Sequence, residues 1–187
     1  MNSIPRPQTV QSANNLNEHK THEAQHVRAL RPYQIITLGA LALGTWDLLF
    51  ARIFWSSKGV HIIDVLQSIA SGIYGKASHL GGAKTAIVGA ICHYFIALCM
   101  VLAYFLVSRK LPALIHRPLS LGLAYGIFLY FFMNLVVVPL SAIGHTVFGN
   151  ATWMIWSIFM HGLFGVLCAV TARFAQRTSK ENGCYAR

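Results

Sequence analysis

The sequence predicts an all-α membrane protein: a bundle of four transmembrane helices with an amphipathic surface helix between the first and second spans. Three observations predict this fold class. Of the 187 residues, 55% are hydrophobic and 11% are charged, whereas about 25% of the residues of soluble domains are charged. Four apolar stretches approach or exceed the roughly 20 residues that cross a bilayer as a helix. Basic residues collect in the tails and between these stretches.

The first apolar stretch follows a polar segment, residues 1–32, which we expect to be a disordered cytoplasmic tail. The stretch covers about residues 34–55, contains the acidic residue Asp47 and ends at Phe54 and Trp55. Aromatic side chains are enriched at the headgroup level of a membrane. This stretch therefore predicts the first span of a transmembrane domain that covers residues 33–175.

The segment at residues 60–75 is too polar to span a bilayer. Its apolar residues recur at spacings of three and four, which is typical of an amphipathic helix: Val60, Ile63, Leu66, Ile69 and Ile73. We expect this helix to lie along the membrane surface or to fold over the mouth of the bundle.

The other three spans are predicted at about residues 84–107, 119–143 and 151–173, and residues 176–187 form a basic cytoplasmic tail. The second span is the most apolar stretch of the chain and has no formal charge between Ala86 and Val107. Pro139 removes one backbone donor near the end of the third span, so we expect a kink there.

Orientation follows from the lysines and arginines of the connections. The second connection and the C-terminal tail are basic, whereas residues 144–150 carry no formal charge. The positive-inside rule then places both termini in the cytoplasm, although the first connection is also basic. Because no basic patch is interleaved with aromatic residues, the formal charge of +10 does not indicate nucleic-acid binding. The lipid bilayer is the expected partner.

One polar residue in each span lies at a similar predicted depth. Counted from the outer end of its span, each lies eight to ten residues in, or about 12–15 Å at the rise of a helix. These residues are Asp47, His93, Asn134 and His161. Because polar groups inside a membrane are costly, we expect this polar layer to face the interior of the bundle.

Small residues share faces with the polar layer and predict where helices approach closely. Gly44 lies on the face of Asp47, Gly122 and Gly126 lie on the face of Asn134, and Gly165 lies on the face of His161. The Gly122 and Gly126 pair is a GxxxG motif. It predicts contacts within the bundle, with a homo-oligomer as the alternative.

Three interpretations of the polar layer remain open. The side chains could hydrogen-bond one another and fix the register of the helices. Asp47, His93 and His161 could instead form a protonatable cluster for proton or ion movement. His93 and His161 could also be the axial ligands of a b-type haem in an electron-transfer protein. No motif indicates a hydrolase, and no spacing of cysteines or histidines in the spans predicts a metal site.

Three stretches carry a resemblance to a known family: residues 66–98 (LQSIASGIYGKASHLGGAKTAIVGAICHYFIAL), 111–144 (LPALIHRPLSLGLAYGIFLYFFMNLVVVPLSAIG) and 160–166 (MHGLFGV). They resemble the YagU family of small, uncharacterised bacterial inner-membrane proteins. The recurrent positions of that family correspond here to His93, to Asn134 with Pro139 and Leu140, and to His161 with Gly162. YagU itself has a histidine at the position of Asn134. The resemblance implies a four-span protein of the bacterial inner (plasma) membrane that has no assigned chemistry and a connection to acid tolerance.

Overall fold

The structure is a computed structural model that describes residues 30–145 and 149–184, with side chains up to Ser179. In this part of the chain all regular elements are helical. The main helices in chain order are α1 (Pro32–Ser56), α2 (Ile62–Tyr74), α3 (Gly82–Lys110), α4 (Pro118–Leu140) and α5 (Ala151–Cys184). All of them except α2 are long and apolar enough to cross a membrane. The predicted fold class is confirmed, and the chain is a multi-pass membrane protein.

The observed helix ends differ most from the prediction in the third and fourth spans. α4 ends at Leu140, and Ser141 is extended, with φ −82° and ψ 178°, where the prediction continued to residue 143. α5 continues past residue 173 and remains helical to Cys184, so most of the predicted C-terminal tail is helical. Residues 1–29 of the predicted disordered tail lie outside the described residues.

The third span contains a π-helical turn, Met133–Val137, between its α-helical segments. The backbone N–H of Val138 donates to the carbonyl of Met133, five residues earlier. Pro139 follows at once and has no N–H to bond the carbonyl four residues before it, so the regular ladder fails at this point. π-Turns within α-helices are frequent at functional sites, and this one contains Asn134.

α1, α3 and α5 share a tightly packed core that contains many small side chains. Its buried members include Ala40 and Leu43 of α1, Ala97, Val101 and Tyr104 of α3, and Phe164, Cys168, Ala169, Ala172 and Ala175 of α5. Without a hydrophobic drive between helices in lipid, association depends on such close packing. Large apolar side chains on the outer faces remain exposed, for example Ile91, Phe128 and Phe159, and these faces suit contact with acyl chains.

α4 packs against α5 through glycines. A Cβ atom on Gly126 would collide with the backbone carbonyl of His161, and one on Gly165 would collide with the backbone of Gly122 and Gly126. The GxxxG motif of α4 therefore lies inside the bundle, at a contact between two helices of one chain. This contact sets the position of the α5 turn that carries His161.

α2 packs along the beginning of α3. A Cβ atom on Gly89 of α3 would collide with the backbone carbonyl of Leu66, and Ala70 is fully buried in the contact. The Gln67 amide donates to the carbonyl of Gly82 at 3.0 Å. The chain reaches α2 through a turn at Gly59, whose φ of 76° favours glycine. α2 is therefore held against the bundle by backbone contact.

Candidate functional site

A cavity of about 580 Å³ lies between all five helices. Its walls include Trp55 at the end of α1 and Trp153 at the start of α5, so it occupies the half of the bundle that contains these two helix ends. The volume is within the range of about 300–1,000 Å³ that is common for small-molecule sites. Most lining side chains are apolar or aromatic, and a small number are polar. Such a combination is typical of a binding site.

All four residues of the predicted polar layer line this cavity. Asp47 reaches it from α1, His93 from α3, Asn134 from the π-turn of α4 and His161 from α5. The structure therefore brings together four side chains that are far apart in sequence. Their roles follow from the hydrogen bonds that each makes.

His93 is buried and joins α3 to α1. Its Nε2 lies 2.8 Å from the backbone carbonyl of Gly44. Because a carbonyl oxygen only accepts, Nε2 carries the hydrogen and donates it. Nδ1 of the neutral ring is then an unprotonated nitrogen with no protein donor in the described part of the chain.

His161 and Asn134 bond backward to their own helices. His161 Nδ1 donates to the carbonyl of Ser157 at 2.8 Å, which leaves Nε2 unprotonated in the neutral ring. The Asn134 amide nitrogen donates to the carbonyl of Tyr130, also at 2.8 Å. Both bonds fix the orientation of a side chain, but neither of them connects two helices.

Asp47 is the acidic residue of the cavity. Its Oδ2 lies 4.0 Å from His93 Nε2, which is an ion-pair distance if the ring is protonated. The Asp47 side chain is 32% exposed, and no hydrogen bond to it is formed by the described residues. The carboxylate therefore faces the cavity with its full capacity to accept hydrogen bonds.

No hydrogen bond joins any two of these four side chains in residues 30–145 and 149–179. The hypothesis that the polar residues bond one another to fix helix register is therefore not supported by the geometry. Among the hydrogen bonds that these side chains form with described residues, the bond from His93 to Gly44 is the one that connects two helices. The remaining acid and base atoms are available to whatever occupies the cavity.

α2 and the end of α4 cover the cavity. Ser68, Ile69 and Gly72 of α2 contribute to its lining, and the backbone N–H of Ala142 donates to the carbonyl of Gly72 at 2.9 Å. One of the two predicted positions for the amphipathic helix was over the mouth of the bundle. α2 occupies that position in the structure.

Aromatic side chains surround the same end of the cavity. Phe50 of α1 stacks on Trp153 of α5 with ring centroids 5.4 Å apart, and Trp55 lies 5.3 Å from Trp153. Lys58 places its Nζ 5.0 Å from the ring centres of Phe54 and Trp55. Aromatic and basic side chains mark the headgroup level, so the cavity begins near the membrane surface and Asp47 lies about 12 Å deeper.

Two further residues, Tyr130 and Ser157, belong to the site. Tyr130 is buried, lines the cavity and places its ring edge-on to His161 with centroids 5.4 Å apart. Ser157 is also buried in the lining, one turn before His161. The sequence places Tyr130 on the face of Asn134 and Ser157 on the face of His161, but neither was predicted to be a site residue.

The haem hypothesis requires His93 and His161 each to present an unprotonated nitrogen to one iron atom. His161 has the usual arrangement of a metal-bound histidine, since Nδ1 bonds a backbone carbonyl and Nε2 is free. His93 instead uses Nε2 for the carbonyl of Gly44. The two rings therefore leave different nitrogens free, Nδ1 in His93 and Nε2 in His161.

We expect the purified protein to show no reducible Soret band, because iron ligation through His93 Nε2 would break the bond to Gly44. The measurement is an absorbance spectrum, oxidised and then reduced, of protein expressed in cells supplied with haem precursor. A Soret band that is present in the parent protein and lost in both His93→Ala and His161→Ala would contradict this expectation. The exposed His116 supplies a control variant, His116→Ala.

No protein-family model matches the chain, and neither a curated protein nor a solved structure matches it.

Proposed function

We propose that this multi-pass membrane protein binds and releases protons at Asp47, His93 and His161, in a non-enzymatic role of sensing or moving protons. The observation that carries the proposal is that these three side chains line one cavity while Asp47, Nδ1 of His93 and Nε2 of His161 have no protein donor among the described residues. Histidine changes charge between about pH 5 and pH 8, so an imidazole can exchange protons at physiological pH.

The groups that face Asp47 come from every spanning helix. α3 contributes His93, α5 contributes His161, and α4 contributes the neutral Tyr130 and Asn134. The part of α2 that lines the cavity contributes no charged side chain, and no lysine or arginine is among the lining residues that the structure describes. Proton exchange in the cavity is therefore governed by one carboxylate and two imidazoles.

Access to these groups is from one half of the bundle. Deeper than His93 and His161, the space between α1, α3 and α5 is filled by apolar side chains such as Val101, Cys168 and Ala172, each fully buried. Tyr104 also lies in this core, and its hydroxyl donates to the backbone carbonyl of Leu114 at 3.0 Å. A site that is open on one side can sense the proton concentration on that side without a further conformation. Movement of protons across the membrane would need a second conformation of the bundle.

The resemblance to the YagU family supports a bacterial inner-membrane location and a connection to acid tolerance. In the predicted orientation, with both termini in the cytoplasm, the aromatic end of the cavity faces outward. The cavity would then respond to the pH outside the cell. Labelling of single introduced cysteines from each side of intact cells would test this orientation.

Nuclear magnetic resonance of isotope-labelled histidine rings tests the proposal. The signals of His93 and His161 are assigned because each disappears in the corresponding variant, His93→Gln or His161→Gln. The protein in nanodiscs is then titrated from about pH 8 to about pH 5. We expect at least one of these rings to bind a proton in this interval. Asp47→Asn should weaken that proton binding because the neighbouring negative charge is removed.

Asp64→Asn is the matched control. Asp64 is the other aspartate of the chain, and its carboxylate accepts the backbone N–H of His61 at the start of α2, outside the cavity lining. This variant should leave both titrations unchanged. The proposal would be contradicted if neither His93 nor His161 bound a proton in this interval. It would also be contradicted if both rings titrated equally in Asp47→Asn and in the parent.

A further inference from the structure

We infer that the cavity also binds a small amphipathic organic cation of the aryl- or alkylammonium class, with Asp47 as its counter-charge. This inference rests on the proposed function, because the groups that bind protons would also hold the cation. The cation and protons should therefore compete for the cavity. It adds a ligand class, which is derived from the charge, lining and size of the cavity.

The cavity contains one carboxylate, that of Asp47, among the described residues of its lining. None of these described residues is a lysine or an arginine, so the lining is negative when Asp47 is ionised and both histidines are neutral. The distance of 4.0 Å to His93 and the absence of a described hydrogen-bond donor leave the carboxylate unneutralised. A carboxylate away from bulk water has a high cost unless it is paired, and a bound cation would supply the pairing.

The rest of the lining is mostly apolar and aromatic. The aromatic residues Trp55, Trp153, Tyr130 and Phe164 contribute to the wall, and aromatic rings attract ammonium groups when water is excluded. The ammonium of Lys58 already lies over two rings at the mouth, 5.0 Å from each centre. Met100 and Met133 add adaptable apolar surface. A ligand with a positive group and an apolar body matches both parts of the wall.

An organic cation fits this cavity better than a calcium or magnesium ion does. Calcium and magnesium are held by about six or more oxygen ligands, several of them from carboxylates or water. This cavity offers one carboxylate, and the described residues contain no group of three metal-ligating side chains. Its volume of about 580 Å³ is also far larger than a bare ion requires. An organic cation satisfies the single charge and fills the apolar space.

The test is binding of benzyltrimethylammonium to the full-length protein in nanodiscs, measured by isothermal titration calorimetry at about pH 8. The matched control ligand is neopentylbenzene, which has the same shape without the charge. We expect the cation to bind and Asp47→Asn to weaken binding about tenfold or more. Asp47→Glu, which keeps the charge, should retain measurable binding and shows that the site remains folded.

Competition is tested by repeating the titration at about pH 5. Protonation of the histidines or of Asp47 removes the negative charge, so the cation should bind more weakly, and its binding should release protons. The inference would be overturned if the cation did not bind, or if it bound equally to the parent and to Asp47→Asn. Binding of neopentylbenzene as tight as that of the cation would also overturn it. Cation binding that requires Asp47 but does not vary with pH would support the cation site and would count against the proposed proton function instead.

Discussion

A Gly126→Ala substitution is expected to separate α4 from α5 and to lower the free energy of unfolding by about 1–3 kcal/mol. The added methyl group would collide with the backbone carbonyl of His161, and neither backbone can yield without moving a whole helix. Alanine is the better helix former by about 1 kcal/mol. A loss of stability would therefore report the packing between the helices.

The buried thiol of Cys168 provides the measurement. Cys168 is fully buried in α5, so a thiol-reactive fluorophore reports its exposure during thermal unfolding of a variant that lacks the other three cysteines. The Gly126→Ala protein should expose Cys168 at a lower temperature than the parent. Gly149→Ala is the control, because a Cβ atom at Gly149 has no neighbour within 4 Å. Equal transition temperatures for Gly126→Ala and the parent would show that the glycine contact is not required.

A Gly89→Ala substitution is expected to lift α2 from α3 and open the cavity. The new methyl group would collide with the backbone carbonyl of Leu66, so α2 must move as a unit. With α2 displaced, Ser68, Ile69 and Gly72 no longer cover the cavity. We therefore expect this variant to bind the organic cation more weakly while its four spans remain folded.

Thiol labelling of Ala70→Cys measures the displacement. Ala70 is fully buried between α2 and α3, so a small thiol there is protected in the parent and should react about tenfold faster or more in Gly89→Ala. Ile87 lies in the same region of α3 and is 60% exposed. The control variant Ile87→Ala should therefore leave the labelling rate of Ala70→Cys unchanged. Protection of the thiol in Gly89→Ala equal to that in the parent would contradict the role of Gly89 in holding α2.

The number and approximate positions of the helices could be predicted because bilayer hydrophobicity acts on each segment separately. An apolar stretch such as Ala86–Val107 spans the membrane regardless of its neighbours. The amphipathic pattern of α2 was also readable from its own residues. The end of α4 was less predictable, because the effect of Pro139 depends on how the preceding turn adjusts, here by a π-turn at Met133–Val137.

The polar residues could be named from sequence because a charge or an imidazole is conspicuous in an apolar span. Their partners could not be predicted. His93 donates to a carbonyl of another helix, whereas His161 and Asn134 donate within their own helices. These choices depend on side-chain rotamers and on interhelical distances of a few ångströms, which no spacing in the sequence encodes.

By itself the sequence determined the fold class, the spans, the amphipathic character of α2 and the four polar residues, since each depends on local composition and periodicity. The tertiary structure alone decided that glycines on α4 meet α5, that α2 covers the bundle and that the four polar side chains line an unfilled space. The physical reason is that a cavity belongs to no single helix: it is the volume left between five helices after backbone contacts at Gly89 and Gly126 have set their separations.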